Sequence, residues 1–309
     1  GFINSDEYKD YKKEEIKLKK SKKIFLEDAQ YYIEDVRKNV IEKLSYDKVY
    51  KQGFNIKTPL DLELQTLATQ ALRKGLEEYD KRRGWRGPIK NKEINSNWNK
   101  DLEKYQTENS LGWEIAIINE INKFEAKIET TKKIQGLIKY ENLNWTRKNI
   151  NELFKIGDLI YVKKIGEKNY ELKQIPVANG GIVVMDPYTG RVLAMSGGFS
   201  FKKSEYNRAT QAKRQPGSAF KLFVYLAGLE NGFAPDDLVV DSKIDINGWS
   251  PKNYKDKYIG EVSVKDAFSN SINTVAVKIS EDIGREKVIK MAKLMGITSP
   301  ILNSPSLAL

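Results

Sequence analysis

Asn207-Arg208-Ala209-Thr210-Gln211-Ala212-Lys213-Arg214-Gln215-Pro216-Gly217-Ser218-Ala219-Phe220-Lys221 sets a serine and a lysine three residues apart, directly after a Pro-Gly break and at the head of the apolar run Leu222–Leu229. Positions three apart share one face of a helix, so the Lys221 amine reaches toward the Ser218 hydroxyl. Apolar Ala219, Phe220, Leu222 and Phe223 are placed to desolvate Lys221 and favour its neutral, basic form. Gly217 leaves room for a close approach. The helix N-terminus offers partial positive charge and free N–H groups where an oxyanion would form. The layout is that of a serine nucleophile with a lysine base. The structural alternative is a capping serine beside a solvated lysine. Ser45 with Lys48 and Ser200 with Lys203 share the spacing, but the first pair lies at the end of an amphipathic helix and the second in a polar stretch after two glycines.

Composition narrows the chemistry. The 309 residues include no histidine and no cysteine, which excludes a Ser-His-Asp triad, a Cys-His pair, a His/Cys zinc site and any disulfide. The length fits two or three domains. The net charge of +11 reads either as attraction to an anionic polymer or membrane surface, or as lysine-rich compositional bias. The mixing of Asp6, Glu7, Asp10, Glu14 and Glu15 among the lysines of 9–23 favours the second. No apolar run approaches the ~20 residues a helix needs to span a bilayer. Gly1-Phe2-Ile3-Asn4 does not open a signal peptide. The expectation is a soluble segment or a piece of a longer anchored protein.

Periodicity supplies the framework. Residues 1–25 read as a charged, weakly amphipathic segment. Tyr32, Val36, Val40 and Leu44, with Ile33 and Ile41, mark one helix face ending before Gly53. Phe54, Ile56 and Thr58 alternate as a short strand would. Thr58-Pro59 predicts the next helix start, with Leu60, Leu64, Leu67, Ala68, Ala71 and Leu72 as its buried stripe. Arg82–Pro88 is rich in breakers. From about 111 to 176 the period falls to two. Ile115/Ile117, Phe124/Ala126/Ile128, Ile134/Gly136/Ile138/Tyr140, Leu159/Tyr161 and Tyr170/Leu172 predict about five strands of a small Greek-key barrel of OB type, with Gly157-Asp158 turning into one of them. Trp113, Phe124, Tyr140 and Trp145 are expected to fill it; stacking of nucleic-acid bases is the alternative. Gly181–Met185 and Arg191–Met195 predict a hairpin in a sheet buried on both faces. Leu222–Leu229, Val264–Ile279 and Lys287–Met295 predict helices.

A second polar group follows: Ser271-Ile272-Asn273, after Val264–Asn270. Such a triplet supplies a hydroxyl to relay a proton and an amide to hold a carbonyl or the lysine. Ser269 and Asn270 offer a competing register, and a cap or turn is the structural alternative.

These residues together resemble the bifunctional class A penicillin-binding proteins, most closely their 1A type. Arg214–Lys221 is similar to the family's active-serine motif, and Asn207–Ala212 to its lead-in. Trp249-Ser250-Pro251-Lys252-Asn253-Tyr254 and Gly260–Val264 resemble the stretch before the second motif, in which Ser271 and Asn273 are the S-x-N pair. Pro305–Leu309, Gly53–Gln65 and Gly1–Asn4 resemble further family segments, the last of them the tail of a glycosyltransferase domain. Leu222 stands where the family often has proline. No Lys-Thr-Gly or Lys-Ser-Gly occurs, and the family's third motif is expected beyond Leu309.

The resemblance implies an α+β fold: part of a penicillin-binding transpeptidase domain of serine β-lactamase-like type, with an inserted OB-like β-barrel and an N-terminal helical linker. The implied domains are 1–50 (glycosyltransferase tail and linker), 51–88 (start of the transpeptidase), 89–176 (OB-like insert) and 177–309 (N-terminal half of the transpeptidase). The implied parent is a cell-wall synthase on the periplasmic face of the inner membrane, with a single-pass anchor. It would use Ser218, Lys221, Ser271 and Asn273 to cross-link peptidoglycan stem peptides ending in D-Ala-D-Ala. Its glycosyltransferase would use a lipid-linked precursor, and β-lactams would acylate Ser218. Neither metal nor cofactor is required, nucleic acid is not a partner, and the OB-like part is free to dock a protein. This segment alone is expected to be inactive. Its rival reading is a catalytically incomplete β-lactam-binding sensor or scaffold.

Overall fold

The structure, a computed structural model, describes residues 3–13 and 26–309. The first two residues and the charged run over 14–25, with the expectations placed on them, lie outside the described residues. The chain divides into two compact units, Gly1–Ala212 and Lys213–Leu309.

In the first unit, helix α1 (Ser5–Tyr11) opens on a capping box between Asn4 and Glu7. Helix α2 (Gln30–Leu44) follows the predicted period, but only Tyr31 and Tyr32 are fully buried. Their hydroxyls donate to Ser204 O at 2.6 Å and Val192 O at 2.9 Å. Helix α3 (Tyr46–Lys51) comes next, and Gly53 turns away with φ +68°.

Two expectations fail here. Residues 54–58 form no strand; they run exposed, without a neighbour to pair. Helix α4 (Leu62–Lys81) is capped not by Thr58 but by Asp61, whose carboxylate accepts from the amides of Glu63 and Leu64. Its buried side is Gln65, Ala68, Thr69, Arg73 and Asp80, whereas Leu67 is 54% exposed. The stripe is rotated because the helix packs against backbone that needs hydrogen bonds. Gln65 accepts from Met195 N at 2.9 Å and donates to Met195 O at 3.0 Å. Arg73 donates to Phe199 O, Asp28 and Ser110. A leucine at either position would leave those groups unsatisfied.

Met195 belongs to a hairpin of β7 (Ile182–Met185) and β8 (Val192–Ser196). Asp186 shapes its turn by accepting from the amides of Tyr188 and Thr189. The expected burial on both faces holds for β8, where consecutive Ala194, Met195 and Ser196 are all buried, and fails for β7, where Ile182 and Val184 are half-buried while Val183 and Met185 are exposed.

The β-rich part is an antiparallel sheet of β1 (Lys90–Asn91), β2 (Trp113–Ile121), β3 (Glu125–Thr130), β4 (Gln135–Lys139), β5 (Asp158–Lys164) and β6 (Tyr170–Lys173), with short helix α5 (Ile150–Leu153) between β4 and β5. Strand order is β1-β5-β2-β3-β4, with β6 also on β5. All five predicted strands are present. β1, two residues long, carries no period to read. No continuous ladder closes the sheet into the expected barrel; a single bridge, Leu137 to Asn169, spans the gap. Gly157 takes φ +89°, and a Cβ there would strike Lys92 O, so the Gly-Asp turn requires glycine. The interior is filled mainly by Tyr170, Phe154 and isoleucines; of the four expected aromatics, Trp145 packs against this core and Trp113 against the smaller core on the other side of the sheet, while Tyr140 and Phe124 stay at the surface. Phe124 is 72% exposed, because it sits in the Asn122 turn before β3 enters the pleat.

The second unit holds α6 (Lys221–Glu230), the ribbon β9 (Leu238–Asp241) with β10 (Gly260–Ser263), α7 (Val264–Ser269), α8 (Asn273–Ile283) and α9 (Arg285–Leu294). Val224, Ala227, Val275, Ala276, Ile279, Val288 and Ala292 form its core. Small residues let α6 approach α8 closely; a Cβ on Gly228 would crowd Ile279. The predicted helix over Val264–Ile279 is broken. Asn270, Ser271 and Ile272 separate α7 from α8, and Ser271 takes φ +53°, a left-handed value unusual outside glycine.

Candidate active site

Four residues singled out by sequence fall in the second unit. Ser218 lies in a 3-10 turn, Gly217–Phe220, that precedes α6, so the serine stands before the α-helix rather than in its first turn. Gly217 has φ +55°, and nothing lies within 4 Å of where its Cβ would be. The glycine is therefore there for its left-handed backbone, not for a close approach. Ser218 is exposed, and among the described residues its hydroxyl has no hydrogen-bond partner.

Lys221 is the opposite case. It opens α6, is 1% exposed, and turns its amine onto the break between α7 and α8. Nζ lies 2.6 Å from Ser271 O, 3.0 Å from Ser271 Oγ and 2.5 Å from Asn273 Oδ1. The left-handed turn at Ser271 brings both its carbonyl and its hydroxyl to one amine. A helix running through 270–272 would have committed that carbonyl to its own ladder. The same contacts single out Ser271 and Asn273 over the Ser269/Asn270 register: Asn270 Nδ2 donates to Asp266 O. Structure thus gathers Lys221, Ser271 and Asn273, and leaves Ser218 one 3-10 turn away with no direct hydrogen bond to the lysine.

Every acceptor around Nζ is neutral. Burial, uncompensated by a carboxylate, pushes the Lys221 ammonium down to about 8 from its ordinary 10.5. Relative to a solvated lysine, that moves the balance toward the neutral amine by roughly 3 kcal/mol. A neutral lysine keeps two N–H donors and gains a lone pair. The donors match Ser271 O and Asn273 Oδ1, and Ser271 Oγ can reverse from acceptor to donor. The cluster therefore accommodates both protonation states without moving heavy atoms.

A further layer was not legible in the sequence. Asn253 Oδ1 accepts from Asn273 N at 3.0 Å and Thr274 N at 3.2 Å, while Lys252 O accepts from Asn273 Nδ2 at 2.8 Å. Behind them, buried Asp241 accepts from Asn253 Nδ2 at 2.7 Å, from Ile259 N at 2.9 Å, and from the Thr274 hydroxyl. No periodicity links 241, 253 and 273; the available signal was the resemblance of Trp249–Tyr254, which contains Asn253, to the family stretch before the second motif, and it assigned Asn253 no role.

Residues 85–178 match the family described as the penicillin-binding protein OB-like domain, and residues 180–303 match the penicillin binding protein transpeptidase domain. Penicillin-binding protein 1A of Rickettsia prowazekii is 38% identical over 310 residues, which cover 97% of this chain and 39% of that protein. Penicillin-binding protein 1A of Pseudomonas aeruginosa is 29% identical over 316 residues, covering 96% of this chain and 38% of that protein. The crystal structure of penicillin-binding protein 1A from Haemophilus influenzae has a TM-score of 0.83 at 28% identity, over 100% of this chain and 47% of that one. The chain thus spans about 39% of the length of the curated relatives it matches, with a mixed α+β fold. It is a homologue of penicillin-binding protein 1A that carries an OB-like domain and a transpeptidase-family domain.

Proposed function

We propose that this chain carries the serine–lysine part of a D-Ala-D-Ala transpeptidase site. The observation that carries the reading is a buried lysine held by neutral acceptors, three residues after an exposed serine. In this reading Ser218 Oγ attacks the carbonyl carbon between the two D-alanines, and its proton passes to neutral Lys221. The tetrahedral intermediate collapses, the C–N bond breaks, and the departing D-Ala amine takes a proton delivered from Lys221 through Ser271 Oγ. The acyl group, now an ester on Ser218, passes to an acceptor amine of a neighbouring strand, which restores the serine hydroxyl. Asn273 holds the lysine through Oδ1 and has a second amide hydrogen for a substrate carbonyl. A β-lactam would acylate the same oxygen and stop there.

On the same reading, the full-length protein is a cell-wall synthase with a glycosyltransferase. It would be anchored at the periplasmic face of the inner membrane, where it meets lipid-linked precursor and stem peptides. The domain limits proposed from sequence, with an OB-like insert at 89–176 and transpeptidase sequence from 177, belong to this reading.

The test is labelling of the full-length protein with a fluorescent penicillin, followed by identification of the modified peptide. Labelling is expected at Ser218, and Ser218→Ala should abolish it. Label on another residue, or undiminished label in that variant, removes the nucleophile assignment. Label without turnover of a D-Ala-D-Ala substrate would favour a β-lactam sensor.

A further inference from the structure

We propose that Asn253, held by Asp241, is a positioning residue that presets the acceptors of Lys221 by fixing the start of α8 and the orientation of the Asn273 amide. The inference rests on the function proposed above.

A helix start exposes N–H groups that need acceptors. α8 begins at Asn273, and the residue before it is Ile272, which has no side-chain oxygen to give. The cap comes instead from twenty residues upstream, where Asn253 Oδ1 accepts from Asn273 N and Thr274 N. Asn253 is itself fixed: its Nδ2 donates to Asp241 Oδ1 at 2.7 Å and to Lys257 O at 3.1 Å. Asp241 is buried, and its remaining oxygen accepts from Ile259 N. One carboxylate therefore holds the loop over 242–259 at both the asparagine and the exit into β10.

The same loop decides which way the Asn273 amide faces. Lys252 O accepts from Asn273 Nδ2, which leaves Oδ1 toward Lys221. With the amide reversed, an NH2 would meet the lysine and a carbonyl would meet a carbonyl. Asn253 touches neither Ser218 nor Lys221 in any hydrogen bond; it acts through Asn273. The loop carries Asn247, Lys255 and Asp256 at φ +53°, +65° and +52°. Three left-handed non-glycine residues persist only where surrounding bonds over-determine the path, and the Asp241–Asn253 pair is central to those bonds.

The experiment measures noncovalent affinity and the first-order acylation constant separately, using a fluorescent penicillin on the full-length protein, with melting curves to normalise for folded fraction. Asn253→Ala should lower the acylation constant about 10- to 100-fold while affinity stays within about threefold, as expected for displaced reacting groups. Asp241→Asn and Asn253→Asp should each lower it too. The double exchange Asp241→Asn/Asn253→Asp should recover most of the loss, because an amide and a carboxylate still meet across the same bond and a carboxylate at 253 still accepts both α8 amides. An acylation constant within about threefold of wild type in folded Asn253→Ala, or a double exchange no faster than the singles, overturns the positioning role. Should Asn253→Ala not fold, Asn253→Asp against the double exchange makes the same decision. Ser218→Ala is run alongside. Label surviving in it overturns the functional reading itself, whereas its silence beside wild-type rates in the Asn253 variants overturns the positioning role alone.

Discussion

Two buried lysines divide the molecule instructively. Lys173, at the end of β6 in the first unit, is 8% exposed and sits 2.8 Å from Glu77 and 3.2 Å from Glu171. Lys221, in the second unit, is buried more deeply, and among the described residues its amine is held by a carbonyl, a hydroxyl and an amide oxygen. Burial works against the Glu171 carboxylate, yet Lys81 and Lys173 together hold it below the usual carboxylate range. The ion pair of Lys173 with Glu77 ties α4 to the sheet. Neutral acceptors at Lys221 satisfy the amine's geometry without stabilising its charge to the same degree. Two lysines of similar burial thus differ in the charge of their partners, which is what distinguishes an ion-paired lysine from one whose amine is pushed toward its neutral form.

The comparison can be broken most sharply at Lys221. Lys221→Met in the full-length protein should cut penicillin acylation by about 10³-fold, within the range seen for a lost general base, while the melting temperature holds or rises. Retained acylation would return this lysine to the structural class.

A gentler probe is pH. Acylation should climb as pH rises through about 8 and then level, because the base must be neutral. Stability carries the same signature. The folded-state value lies below the unfolded 10.5, so between about 8 and 10.5 the unfolded chain binds more protons, and folding becomes more favourable as pH rises. Below that window the cost of the buried charge is present in full, roughly 3 kcal/mol. A rate profile flat from pH 6 to 10 would contradict the first statement, and a Lys221 contribution to unfolding free energy, read against Lys221→Met, that does not change between pH 8 and 10.5 would contradict the second.

Lys173→Met should do the converse. Acylation at matched folded fraction should stay within about twofold of wild type, while unfolding in urea loses roughly 1–3 kcal/mol because Glu77 and Glu171 lose their partner. The smallest effect is expected at Gly217→Ala. There is space for the methyl, so its cost is the left-handed φ alone, about 1 kcal/mol, read as a shift of a few degrees in melting.

How much of this was legible follows from the range of the interactions. Ser218 and Lys221 are three apart, so their shared turn is local, and the apolar run of α6 announced the lysine's burial. β3 and β4 were legible because one-sided burial prints a period of two on sequence; β2 and β5 lie between two cores and read instead as short apolar runs. The break at Ser271 was legible only as an alternative: the apolar period of Val264–Ile279 predicts one helix, while the Ser/Asn cluster over 269–273 also reads as a cap or turn, and the long-range bonds to Lys221 and Asn253 show why the chain leaves the helix there. For the same reason the polar face of α4 escaped notice. Gln65 and Arg73 look like solvent-facing residues until the backbone they serve, 130 and 126 residues away in sequence, is in place. Phe124 misled in the other direction, because its neighbours' alternation extends one turn residue too far.

The hairpin that Gln65 serves has a directional consequence. Asp61 N donates to Leu193 O, and the Gln65 amide engages both backbone groups of Met195, so the outward rim of β8 is already occupied by helix α4. Among the described residues, the opposite rim, at Val183 of β7, has no such occupant. Any strand that enlarges this ribbon must therefore join beside β7, which makes the two-stranded piece a one-way template for sheet growth.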